Sequence, residues 1–176
     1  MQGMSTKRKP WLLLTAALGF LVFFVFSQQV MADMFSWFKK YDVHLSPAVR
    51  GTVLLDGKPL ANAVVSRELH YDKEYVDRTS TDSDGNFSFP EKNIRSRKPG
   101  GLAEMRTRQV IVVQHQQKNY LLWYLTTSSI APQQAIVQRL SSLNCDLTND
   151  EQEHVFSNIE KPDFPHSTFS ICRWAD

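Results

Sequence analysis

Alternation of apolar and polar residues dominates the middle of this chain. Residues 48–55 place Val49, Val53 and Leu55 on alternate positions, and Asp56-Gly57 follows, so the pattern predicts a strand ended by a tight turn. Lys58-Pro59 leads into the apolar pair Val64-Val65, and residues 75–81 alternate β-favouring with polar side chains. Asp82-Ser83-Asp84-Gly85 turns the chain into a strand with Phe87 and Phe89 on one face. Residues 91–108 become polar and basic, with Pro99-Gly100-Gly101 as a breaker, and read as a long connection of the kind that carries binding loops. Residues 109–114 read as a buried strand, with 118–127 as its hairpin partner. From Pro132 to Leu143 the period changes: Ala135, Ile136, Leu140 and Leu143 recur at helical spacing. Thr148-Asn149-Asp150-Glu151 offers caps for a second short helix through Phe156, and residues 166–174 read as a closing strand.

Length adds that the 176 residues hold one ordinary domain plus an appendage. An apolar fraction of 42% suits a packed core and excludes a disordered chain. The formal charge of +2 depends on Lys7, Arg8 and Lys9; beyond residue 32 there are 17 bases against 18 acids. Such a balance gives no electrostatic reason to expect nucleic acid, and the cluster of Arg95, Arg97 and Lys98 is too short to supply one.

Those three N-terminal bases precede an apolar run at residues 11–26, the order of an export signal. Val30-Met31-Ala32 offers a cleavage site before Asp33, while the run's length also suits retention as an anchor. Residues 1–32 are therefore a signal peptide or signal anchor, 33–47 a juxtamembrane linker, and 48–176 the domain. This places the domain in the periplasm, or on the periplasmic side of the inner membrane by the positive-inside bias. The rival reading starts translation at Met34 and leaves the domain in the cytoplasm. Phe35, Trp37, Phe38, Lys39 and Lys40 suit a membrane interface or the edge of the domain. Cys145 and Cys172 are the only cysteines and suit one bridge in an exported protein, or two buried thiols in a cytosolic one.

Candidate chemistry is sparse. The five histidines lack metal-ligand spacing, so neither a metal nor a cofactor is expected. Asp82, Asp84 and Asn86 superficially resemble a calcium loop without its later ligands, and a turn in which the side chains bond their own backbone explains them. Candidate binding residues are His70, Tyr71 and Tyr75 in a titratable, aromatic cluster between two strands, and Arg95 and Arg97 in the long connection. Tyr124 joins them, because Trp123 and Tyr124 must point to opposite faces of one strand. A hydrolase assembled across loops, from His70, Asp72, Glu74 and residues 95–108, is the alternative.

Gly51-Thr52-Val53, the run 56–65 that opens Asp56-Gly57-Lys58-Pro59, and residues 81–89 resemble the carboxypeptidase regulatory-like, or transthyretin (prealbumin)-like, domain. Through residues 89–100, 120–124 and 170–174 the wider chain is similar to an uncharacterised bacterial family of that fold. The resemblance implies a mainly β, transthyretin-like (Ig-like) antiparallel β-sandwich, here with one or two accessory helices in its C-terminal part and an N-terminal apolar helix ahead of it. It also raises the hydrolases of oxidised purines that share the fold. Those enzymes use histidines, an arginine and a C-terminal tetrapeptide of tyrosine, arginine, glycine and serine, whereas this chain ends Cys172-Arg173-Trp174-Ala175-Asp176, so no residue carries over. The resemblance implies instead a non-enzymatic accessory sandwich. Combined with the address, the expectation is an envelope binding module with a protein partner, possible kinds being immunity proteins and inhibitors.

Overall fold

The computed structural model describes residues 39–100 and 106–174. The apolar segment at 1–32, with the signal or anchor expected there, lies outside the described residues, as do residues 101–105. Among the described residues no helix is long and apolar enough to cross a membrane.

The strands follow in the order β1 (Tyr41–Ser46), β2 (Val49–Leu55), β3 (Lys58–Pro59), β4 (Val64–His70), β5 (Glu74–Ser80), β6 (Asn86–Phe89) and β7 (Lys92–Ser96). Then come β8 (Thr107–His115), β9 (Lys118–Thr127), the one described α-helix α1 (Gln134–Leu140), β10 (Leu143–Asp146), β11 (Gln152–Phe156), β12 (His166–Ser170) and β13 (Cys172–Arg173). A six-stranded sheet runs β11-β12-β9-β8-β4-β5, and a five-stranded sheet runs β13-β10-β2-β3 with β6 also on β2. A two-stranded ribbon pairs β1 with β7. The pairing is antiparallel apart from β10 beside β2.

The protein is mainly β, and its two larger sheets share one core. Val49, Val53, Phe87 and Phe89 come from one sheet, Val65, Ile111, Val113 and Trp123 from the other. Gly51 has a specific task within this core. A Cβ there would lie 2.7 Å from the Phe87 ring and 2.8 Å from Leu143 Cβ, so only glycine leaves room for both side chains against β2. The Asp56-Gly57 turn forms as expected, with φ of 51° and 72°, the pair of positive values that a two-residue hairpin turn requires. Asp146 on β10 holds it from across the sheet, accepting from Gly57 N at 2.7 Å and Asp56 N at 3.2 Å. The Asp82 turn is also the expected one: its Oδ1 accepts from the amides of Asp84 and Asn86 at 2.9 and 2.8 Å.

Arg67, fully buried, ties the layers together. It donates to Asp77 Oδ2 on the neighbouring strand at 2.6 Å and to the Pro90 carbonyl at 2.7 Å, with its guanidinium over the Phe89 ring. Partial burial raises the Asp77 carboxyl, but hydrogen bonds from Arg67 and Lys92, with their charges, outweigh it and hold it below the usual carboxylate range.

Four expectations need correction. The supposed second helix is strand β11, because the capping residues serve a turn: Asp146 Oδ1 accepts from both the amide and the hydroxyl of Thr148. Part of the polar 91–108 connection is strand β7, and residues 41–46, read within the linker, are its partner β1. Leu143 belongs to β10 rather than to the helix. The closing segment divides at Ile171, giving β12 to one sheet and β13 to the other. That division places Cys172 directly opposite Cys145, and the two form the disulfide.

Candidate binding surface

The six candidate binding residues separate into three places. Tyr71 is buried, in a small cluster with Val43, Leu45 and Leu69, and Tyr75 packs against that cluster while its hydroxyl donates to Asp72 at 2.9 Å. Burial, and then Asp72, raise both phenols above their ordinary value. Arg95 and Arg97 lie on and just beyond β7, where Arg95 pairs with Asp42 at 3.3 Å. Only His70 and Tyr124 share a surface, the outward face of the six-stranded sheet.

That face has an unusual composition. Strand register aligns Val76, Glu68, Val110, Tyr124, Phe169 and Glu153 in one row across all six strands. Tyr124 and Phe169 stand directly opposite each other, 38% and 42% exposed, and Val155 on the edge strand is 66% exposed. Scattered apolar residues on a surface need no explanation, whereas Tyr124 and Phe169 adjoin and form one exposed aromatic pair. Polar and charged groups frame the row: Glu74, His70 and Arg108 occupy one neighbouring level, Arg78 the other. At the β11 end, Glu153 accepts from the Ser167 hydroxyl.

Phe169 and Val155 escape a sequence reading for a physical reason. On β12 the usual pattern is inverted, with His166, Thr168 and Ser170 buried and Phe169 outside. The inversion is tolerated because β9 satisfies the hydroxyls: Thr168 Oγ1 donates to the Tyr124 carbonyl at 2.9 Å and Ser170 Oγ to that of Leu122 at 2.6 Å. No signal in the sequence distinguishes this from a strand with Phe169 inside.

The histidines lack the surroundings of a catalytic site. His70 is exposed, and Asp72 is engaged by Tyr75 instead. A histidine beside a carboxylate does occur elsewhere, with His44 Nδ1 3.1 Å from Glu91 Oε1 and 2.8 Å from Asn93 Oδ1. The void it lines measures about 10 Å³, room for one water and far below a substrate site. Nothing among the described residues indicates catalysis, and no cluster there could hold a metal ion.

A family model described as a domain of unknown function (DUF6795) matches residues 49–150, more than half of the chain. Comparison with curated proteins and with solved structures returned no match. The matched span runs from β2 through β10, so Val76 and Tyr124 fall inside it while Val155 and Phe169 fall outside.

Proposed function

The chain belongs to the DUF6795 family, a domain of unknown function, and from that premise we propose that it is a non-enzymatic binding module whose protein partner docks on the outward face of the six-stranded sheet. The observation that carries this reading is the Tyr124–Phe169 pair, exposed side by side and continued to the open edge strand by Val155. The partner that suits it presents apolar side chains to this row and carries charges complementary to Arg78, Arg108 and Glu153. An edge strand that pairs on one side only among the described residues also suits the addition of an extended partner segment along β11.

The finer fold assignment, a transthyretin-like sandwich, is supported by the turn motifs at 56–59 and 81–85 and by two sheets sharing one core. Export to the envelope is supported by the basic and apolar order of residues 7–26 and by the disulfide. Fractionation of cells carrying a C-terminally tagged chain tests that address; recovery in the cytosol from a start at Met34 overturns it. The face itself is tested by a photo-crosslinking phenylalanine analogue at position 169 in intact cells. A single crosslinked protein, which when purified binds the native chain and loses at least ten-fold in affinity for Phe169→Glu, supports the proposal. Crosslinking only to a second copy of the chain, or none at all, overturns it.

A further inference from the structure

The opposite side of the molecule carries a concave feature that the docking face does not use. On the outward face of the five-stranded sheet lies an open groove of about 750 Å³, within the range of small-ligand sites. Its floor is formed by two cross-strand rungs, Arg50 opposite Ser88 and Thr52 opposite Asn86. The turn between α1 and β10 supplies one wall through Ser141 and Ser142, and the end of β5 supplies the other. The groove lies wholly within the span matched by the family model.

We propose that this groove binds a short acidic glycan, with the carboxylate on Arg50 and the sugar hydroxyls on the surrounding neutral groups. Arg50 is exposed and has no ion-pair partner among the described residues, so its fork of donors is available to a carboxylate. Asp82 is the one carboxylate among the described lining residues, and its Oδ1 already accepts two backbone amides of its own turn. Beside Gly51, Phe87 and Leu143 the rest of the lining is hydroxyl and amide side chains, some already oriented: Thr52 Oγ1 donates to Asn86 Oδ1 at 2.8 Å, and Ser141 Oγ donates to the Gln138 carbonyl at 2.7 Å. Each of these retains lone pairs that a sugar hydroxyl can meet.

The choice of an acidic over a neutral sugar follows from the aromatics. Neutral sugars are commonly held against an exposed ring that offers an apolar platform. Phe87, the one aromatic among the described lining residues, is 5% exposed and lies in the notch left by Gly51, edge-on to Phe89. With no platform, the guanidinium must supply the leading interaction, and that interaction selects a carboxylate.

Calorimetry and amide chemical-shift mapping on the full chain test this, with trigalacturonate, neutral galactotriose and inorganic phosphate as the probes. The acidic trimer is expected to saturate and to shift amides in residues 50–52, 86–88 and 141–144. The neutral trimer is expected to bind at least ten-fold more weakly, as is phosphate. Arg50→Gln should remove the preference for the acidic trimer, and Ser142→Trp should block it by filling the groove; both positions are exposed, and circular dichroism confirms folding. Equal binding of the two trimers, unchanged binding by Arg50→Gln, shifts outside the groove, or no saturation at 10 mM probe, roughly the weakest binding such mapping can follow, overturns the proposal. Phosphate binding as tightly as the acidic trimer overturns its sugar component.

Discussion

On the five-stranded sheet the outward positions of β2 and β6 carry Arg50, Thr52, Asn86 and Ser88, whereas on the six-stranded sheet those of β9 and β12 carry Tyr124 and Phe169. Both sheets turn apolar side chains toward the same core, so the contrast lies entirely on the solvent side. One face follows the ordinary alternation of a half-exposed sheet and is hollowed into a polar groove. The other departs from that alternation on β12, burying hydroxyls to place a phenylalanine in water. Folding gains little from that arrangement, since the same strand with Phe169 inside would bury more apolar surface. One face is thus explained by folding, and the other carries an exposed aromatic pair that folding alone does not explain.

The sharpest test of whether both faces rest on one interior is Asp77→Ala. It leaves Arg67 buried without its counter-charge and should cost about 3–5 kcal/mol in urea unfolding. Arg67→Met, which removes the charge itself, should cost less. Faces that unfold separately in the Asp77 variant would break the idea of a shared core.

Replacing both cysteines by serine comes next. The bridge closes a span of 27 residues and is worth about 3.5 kcal/mol by chain entropy. Because it joins β10 to β13, hydrogen exchange should accelerate along the wall of the groove while β4 and β8 stay protected.

A pH effect should distinguish the β11–β12 end from the rest. Burial, then the charges of Arg173 and Arg139, lower His154 against the opposing bond with the Ser170 backbone; burial lowers His166 against the charge of Glu160. A histidine depressed by folding binds fewer protons than the unfolded chain does. Its stability contribution is complete above the unfolded value of about 6.5 and is lost as pH falls through the folded value. Unfolding midpoints should therefore drop on acidification below pH 6.5, and His154→Gln with His166→Gln should flatten that drop. Asp77 adds a later loss, below about 3.9, because its folded value is also lowered.

Smaller effects are expected at the surface. Gln116 and Gln117 hold φ of 47° and 64° in the β8–β9 turn, and Gln117→Gly should stabilise by about 1 kcal/mol in thermal unfolding. Tyr124→Ser with Phe169→Ser should cost no more than about 1 kcal/mol, the worth of one cross-strand aromatic pair. A larger loss would make the aromatic row part of the fold and remove the contrast between the faces.

Much of the architecture could be read from residues with local rules. Asp56-Gly57 and Asp82 declared their turns, and adjacent Trp123 and Tyr124 declared one buried and one outward ring. Sequence pattern and structure part where tertiary partners override local signals. Caps near Thr148 were taken up by Asp146, and Leu143 joined a parallel strand whose partner is some ninety residues away. Half of the proposed docking face was hidden for the same reason, since only pairing with β9 makes polar residues of β12 suitable for burial. The groove was hidden more completely, because its parts come from four separated segments.

The most direct test is a paired affinity measurement with the purified crosslinked partner, comparing Phe169→Glu with Arg50→Gln. The account predicts that Phe169→Glu weakens the partner at least ten-fold while Arg50→Gln leaves its affinity within two-fold. Partner binding that survives Phe169→Glu, or that is lost with Arg50→Gln instead, would contradict it.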